Sequence, residues 1–301
     1  MKRPNFFIIG APKCGTTSMA TWLSDHPRIF MSPSKEPHYF STDRKWIRIP
    51  SLGLYERQFR RASEQHIAVG EASVWYLYSR VAVPNILQYS PDAKFVVMLR
   101  NPVEMVPSLH AQMLYSANED VSDLRQAWIL QEKRRNGEAI PRWCREPSHL
   151  QYSSACKLGE MVERLLKLVP RERVLFVVLD DVKASPREEY LRVLEFLGVP
   201  DDHRVEFPVL NPAKRLRSLP VKALMRLTTK AKRLFHIYGG LGILTWLNRW
   251  NTVTSAKQPV DPEFRHILQS HFAFDIQKLE RFLGRDFSMW LCEPSEGCEA
   301  E

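Results

Sequence analysis

The sequence predicts an α/β fold: a single domain over residues 1–301, built on a central parallel sheet flanked by helices, with a P-loop-like nucleotide-binding turn near its start. Three observations carry this expectation. Short apolar runs rich in branched and aromatic residues recur along the chain, helical spacing fills the intervals, and the first run passes directly into a turn bounded by glycines.

The elements follow in order. Residues 6–9 (FFII) are a compact apolar run ending in Gly10, and residues 16–24 then carry Met19, Trp22 and Leu23 at helical spacing. Further strands are expected at 67–69, 94–99 (KFVVML) and 174–179 (VLFVVL), runs without polar alternation, as strands covered on both faces should be. Helical patterns occupy 81–89, 103–116, 121–135, 155–168 and 186–197. Such alternation favours a parallel sheet whose ligands gather at the carboxyl ends of the strands. From 211 to 251 the chain turns basic and apolar and is poor in acids. That segment reads as a packed helix with a solvated basic side, as an amphipathic helix covering the active site, or as a membrane-surface segment. Helical spacing returns over 261–290, with Phe264, Leu268, Phe272, Ile276, Leu279 and Phe282 on one stripe of a closing helix.

Composition narrows the partners. With 44% hydrophobic residues the chain can bury a full core, and 43 Lys+Arg against 34 Asp+Glu give a net charge of +9. This excess favours anionic partners such as nucleotides and phosphorylated or sulfated molecules, and is equally compatible with a solvated basic face. Five cysteines at irregular spacings, with no CxxC pair, offer neither a zinc site nor a disulfide framework and fit a reducing compartment. The opening MKRPNFFIIGAPK has too short an apolar run for a signal peptide or a membrane span, so a cytoplasmic location is expected.

The turn GAPKCGTTS places backbone N–H groups at the positive end of a helix, which makes an anion cradle. Gly10 and Gly15 keep the spacing of a nucleotide-triphosphate loop, but Thr16 stands where that loop has its lysine, and the only lysine is Lys13. A kinase would also want a strand-end aspartate for its metal. KFVVML ends in Arg100 instead, and Asp180 and Asp181 after VLFVVL are the only acidic strand-end candidates. The turn therefore reads as a phosphate site without a metal, or as an ordinary strand-to-helix connection. LRNPVEMVPS reads as a second anion site, with Arg100 facing the ligand crevice and Ser108 eight residues on, or as a strand-end arginine held in a salt bridge.

APKCGTTS, LRNP and the downstream serine together resemble the sulfotransferases that use 3′-phosphoadenosine 5′-phosphosulfate. The resemblance implies that Lys13, Cys14, Gly15, Thr16, Thr17 and Ser18 bind the 5′-phosphosulfate, that Arg100 and Ser108 bind the 3′-phosphate, and that no metal is used. KEPHYF at 35–40 is similar to a segment of the heparan sulfate sulfotransferases, which implies Glu36 as catalytic base. His38 would orient the acceptor, share the base role or assist the leaving group. GEASVWYL at 70–77 resembles the acceptor-side strand of bacterial members, and LEFLGV at 194–199 and VDPEF at 260–264 extend the likeness. Met105 replaces an arginine of the heparan-type enzymes, and Glu71 stands where they carry a lysine. Arg215, Arg217 and Lys257 are the remaining donor contacts the resemblance suggests. Glu71 reads as a second acceptor-side acid or as the partner of a basic neighbour. Trp75, Tyr76 and Tyr78 read as an acceptor pocket or as core.

The expectation is sulfuryl transfer to a hydroxyl or amine of a small-molecule, lipid or sugar acceptor, with no nucleic-acid partner. A P-loop kinase and a non-catalytic nucleotide- or membrane-binding protein are the alternatives.

Overall fold

The computed structural model describes residues 2–45, 49–208, 214–216, 252–254 and 260–292. The described residues gather into two compact units, one up to residue 105 with 156–208 and 260–292, the other formed by 106–155 with 214–216 and 252–254.

The first unit holds a five-stranded sheet of β1 (Phe6–Gly10), β2 (Ile29–Met31), β3 (Ala68–Ala72), β4 (Lys94–Leu99) and β5 (Val174–Val178). Every pairing is parallel, in the order β2-β3-β1-β4-β5. All residues of β1 and β3 are buried, and all of β4 except Lys94, which explains their unbroken apolar runs. The chain leaves the central β1 to one side through β2 and β3 and then crosses to β4 and β5. The topological switch point therefore falls between β1 and β4, where parallel sheets open a crevice at the carboxyl ends.

Helices α1 (Thr16–Ser24), α2 (Leu52–Glu56), α3 (Ala82–Tyr89) and α4 (Pro102–Tyr115) follow the strands of the first half. The start of α4 explains the LRNP motif. The Asn101 side chain accepts the Val103 N–H at 2.9 Å, and Pro102 is the first helical residue, so the helix begins immediately after the strand-end arginine. The second unit holds α5 (Leu124–Ile129), α6 (Gln131–Arg135) and α7 (Tyr152–Ala155), and in it Arg134 of α6 donates twice to the buried Glu119, at 2.6 and 2.7 Å. Back in the first unit, α8 (Leu158–Leu166) precedes β5, and α9 (Leu179–Ala184) and α10 (Pro186–Leu197) follow it. Two three-residue strands, β6 (Lys214–Leu216) and β7 (Thr252–Thr254), pair antiparallel in the second unit. Finally α11 (Pro262–Leu283) packs on α8, where the Asp275 carboxylate accepts the Gly159 and Glu160 N–H groups at 2.8 and 2.9 Å. Among the described residues no helix is long and apolar enough to cross a membrane.

Several boundaries move. The helix expected over 121–135 is two helices, because the Asp123 side chain caps the backbone at Gln126 and the chain breaks step at Leu130. The helix expected from 155 begins at Leu158, the strand expected at 67–69 runs from Ala68 to Ala72, and Leu179 opens α9 instead of ending β5. β2 is a strand of three residues, too short to show a period in the sequence. Of the basic segment 211–251, only 214–216 lies within the described residues.

Candidate active site

The loop after β1 is fastened to β4 from two sides. The Ala11 N–H donates to the Met98 carbonyl at 2.8 Å, and the Arg100 guanidinium donates to the Lys13 carbonyl at 3.1 Å. Lys13 has φ 66° and Gly15, the N-cap of α1, has φ 83°. A Cβ at Gly10 would lie 2.9 Å from the Val74 carbonyl, so close approach of backbone requires glycine there, whereas at Gly15 the left-handed φ favours glycine and a Cβ would meet only Leu179 Cδ1, at 2.8 Å. The first turn of α1 has no side-chain cap and no acidic residue. Helix geometry leaves the Thr16, Thr17 and Ser18 N–H groups without intrahelical carbonyls, at the positive end of the dipole. These features suit a bound phosphate. Cys14 is fully buried, its thiol donating to the Pro12 carbonyl, and burial pushes its pKa up to about 12. It stays a neutral thiol that fills the loop, and only its backbone is available to an anion.

A second loop, residues 32–41, connects β2 towards α2 beside the end of β3. Glu36 and His38 both have positive φ, 55° and 50°, although neither is glycine. Their side chains meet, His38 Nε2 lying 3.4 Å from Glu36 Oε2. On the other side Lys35 Nζ lies 3.7 Å from Glu36 Oε1 and donates to Thr17 Oγ1 at 2.5 Å. One lysine thus joins the glutamate loop to the first turn of α1. His38 is almost fully buried, whereas Glu36 keeps 24% of its side chain exposed, enough to meet an incoming molecule. Lys13, Glu36 and His38 are three of six non-glycine residues with positive φ among the described residues. Such conformations cost energy and cluster where function needs them.

Behind this loop Glu71 is fully buried in β3. It accepts hydrogen bonds from Ser73 Oγ (2.8 Å), Tyr55 OH (3.0 Å) and Tyr76 OH (3.0 Å). Burial pushes its carboxyl up to about 7, against the lowering effect of those three donors. The partners of Glu71 are hydroxyls, so it is neither a basic residue's mate nor a side chain facing an acceptor. Tyr76 and Trp75 are buried as core, while Tyr78 is half-buried under the Arg44 guanidinium at 4.3 Å.

The other sequence candidates fall as follows. Arg100 is largely buried, with Glu104 Oε2 3.9 Å from its guanidinium. Ser108 is half-buried on α4 and belongs to the second unit, and Met105 is fully buried. Arg215 stands on β6 opposite Val253, while Arg217 and Lys257 lie outside the described residues. Asp180 is paired with Lys183, and Asp181 with Arg285, so both strand-end acids have cations of their own chain as partners. The contact of Lys35 with Thr17, the bonds of the 32–41 loop to Ser73 and Tyr76, and the bond of Tyr55 to Glu71 carry no sequence signal, because they join residues 16 to 36 positions apart.

A parallel sheet with a glycine-bounded anion cradle at its switch point, an arginine behind that cradle and an acid beside it defines a P-loop-like α/β protein. Within that class residues 3–217 match the sulfotransferase domain family, and the chain belongs to it. It is 30% identical over 199 residues to human heparan sulfate glucosamine 3-O-sulfotransferase 6, a match covering 65% of this chain and 52% of that protein. It is also 30% identical over 167 residues to human carbohydrate sulfotransferase 15, covering 41% and 29%. The chain therefore spans about half the length, or less, of these curated relatives. Among solved structures, a sulfotransferase from Alicyclobacillus acidocaldarius superposes with a TM-score of 0.70 at 26% identity, over 96% of this chain and 99% of that one. Membership disfavours the kinase reading and the non-catalytic one.

Proposed function

We propose that the protein transfers the sulfuryl group of 3′-phosphoadenosine 5′-phosphosulfate to a hydroxyl or amine of a small-molecule, lipid or sugar acceptor. A sugar hydroxyl gains support from the human relative named for 3-O-sulfation of a glucosamine. The observation that carries the reading is the Lys35 bridge. Its ammonium donates to the Thr17 hydroxyl and lies 3.7 Å from the Glu36 carboxylate, so the candidate base and the candidate donor cradle share one cation.

The residues fit such a donor. The uncapped first turn at Thr16–Ser18, with Gly15 and the ammonium of Lys13, would hold the 5′-phosphosulfate, and Arg100 would hold the 3′-phosphate. When bound, the donor supplies a sulfuryl group on a phosphate leaving group. The acceptor oxygen forms a bond to sulfur, the bond from sulfur to the bridging phosphate oxygen breaks, and that oxygen keeps the electron pair. Glu36 takes the acceptor proton. Lys13 stabilises the charge that grows on the leaving phosphate, and Lys35, 3.7 Å from the Glu36 carboxylate, ties the base to the donor cradle. His38, 3.4 Å from Glu36, orients the carboxylate.

Calorimetric titration tests the donor. Tight binding of 3′-phosphoadenosine 5′-phosphate with no binding of ATP and magnesium is the expected result, together with sulfuryl transfer that persists under a chelator. Preference for ATP and magnesium would overturn the reading.

A further inference from the structure

We propose that Glu71 is a positioning residue for the transfer reaction: acting through Ser73 and Tyr76, it holds the Glu36 to His38 turn in its left-handed conformation. The inference rests on the reading of Glu36 as the base.

Three backbone N–H groups of the turn, spaced two residues apart, are taken up by one short stretch of chain. Glu36 N–H donates to the Ala72 carbonyl at 3.1 Å, His38 N–H to Ser73 Oγ at 3.1 Å and Phe40 N–H to Tyr76 OH at 3.2 Å. The last two acceptors are hydroxyls, and a hydroxyl accepts from a backbone N–H only if its own proton points elsewhere. Glu71 decides where it points. Its Oε2 takes the Ser73 proton and its Oε1 the Tyr76 proton, which turns the lone pairs of both hydroxyls towards the turn. A carboxylate withdrawn completely from water is costly unless its hydrogen bonds are made, and here two of its three partners relay directly to the loop that carries Glu36. The left-handed residues of that loop are not glycine, so the surrounding structure must supply what their conformation costs. Tyr55 provides the internal comparison. Its hydroxyl donates to the same Oε1 at the same 3.0 Å, but no bond relays it to the turn.

The test uses Glu71→Gln, Ser73→Ala, Tyr76→Phe and Tyr55→Phe in the full chain. Glu71→Gln keeps the shape of the side chain, and Ser73→Ala repeats the experiment with Glu71 intact should the first variant fail to fold. Expected in Glu71→Gln, Ser73→Ala and Tyr76→Phe is a fall in kcat of about tenfold to a hundredfold from misplacing the base. Affinity for 3′-phosphoadenosine 5′-phosphate should be unchanged, and amide hydrogen exchange at His38 and Phe40 should be faster. Tyr55→Phe should leave exchange at those two amides and kcat at wild-type values. The proposal is overturned if Tyr55→Phe and Tyr76→Phe behave alike, or if Glu71→Gln and Ser73→Ala change neither exchange nor kcat. Full activity in Glu36→Gln would instead sink the base assignment, and the exchange results would stand apart from it.

Discussion

The two loops at the carboxyl end of the sheet solve the same problem with different materials. The loop after β1 bends at Gly10 and Gly15 and opens a helix, so its turns are written within nine residues of chain, and the strand beside it adds two fastenings. The loop at 32–41 contains no glycine and two prolines, and it places Glu36 and His38 in left-handed conformations by borrowing acceptors from residues 72–76. An anion cradle needs only backbone and a few small residues. A base must be aimed, and here the aim comes from a buried acid on another strand.

The comparison breaks first at Glu36. If the second loop exists to aim a base, Glu36→Gln should lower kcat by about 10²–10⁴-fold, while calorimetry finds affinity for 3′-phosphoadenosine 5′-phosphate unchanged. Lys13→Ala comes next, at about 3–4 kcal/mol of transition-state stabilisation, or roughly 10²–10³-fold in turnover. That variant should also weaken 3′-phosphoadenosine 5′-phosphate, which separates a donor-loop defect from an acceptor-loop defect. Equal loss of donor affinity in both variants would mean that the two loops do not divide the labour.

Glu71 sharpens the contrast through pH. Its carboxyl is raised from 4.5 to about 7 in the native state, so between these values the folded protein holds a proton that the unfolded chain has released. The native state binds more protons, and stability must fall as pH rises through that window, by up to about 3 kcal/mol. Below 4.5 both states are protonated and the contribution is fully present; above 7 it is lost. Denaturant unfolding from pH 4 to 8 should show a downward slope in the wild type that flattens in Glu71→Gln. The loop after β1 has no counterpart, because Cys14, pushed up to about 12, stays neutral across the same range.

The same division decides what could be read from the sequence. β4, α1 and α10 were legible to the residue, since an unbroken apolar run or a clean helical stripe sets their ends. The cradle was legible because glycine spacing and a following helix are local signals. Glu36 and His38 came only through family resemblance, and their left-handed geometry could not be foreseen, because non-glycine residues adopt it when distant contacts compel them. From the sequence Glu71 reads as acceptor-facing or ion-paired, and the structure gives it hydroxyl partners instead. Its three hydroxyl partners come from α2, from the end of β3 and from the turn beyond it, and no spacing rule unites them. The break at Leu130 was hidden for the same kind of reason: the cap at Asp123 starts α5, but nothing in the hydrophobic pattern stops it.

The smallest effect is the most direct test of how the two loops differ. At an ordinary loop position alanine is at least as stable as glycine, because glycine loses more entropy on folding. At a left-handed position the order reverses, since the Cβ of alanine costs about 1 kcal/mol. Glu36→Gly should therefore be more stable than Glu36→Ala by about that amount, with both variants inactive. In the first loop the glycine is already present, and Gly15→Ala should lose a similar amount plus whatever Leu179 must yield to the new methyl group. Matching differences at residues 15 and 36, read by denaturant unfolding at one pH, would mean that these two positions carry the same backbone cost, removed by glycine at residue 15 and held by the neighbouring chain at residue 36. A lower stability for Glu36→Gly than for Glu36→Ala would show that the acceptor loop relaxes to an ordinary turn, and that Glu71 has nothing to hold.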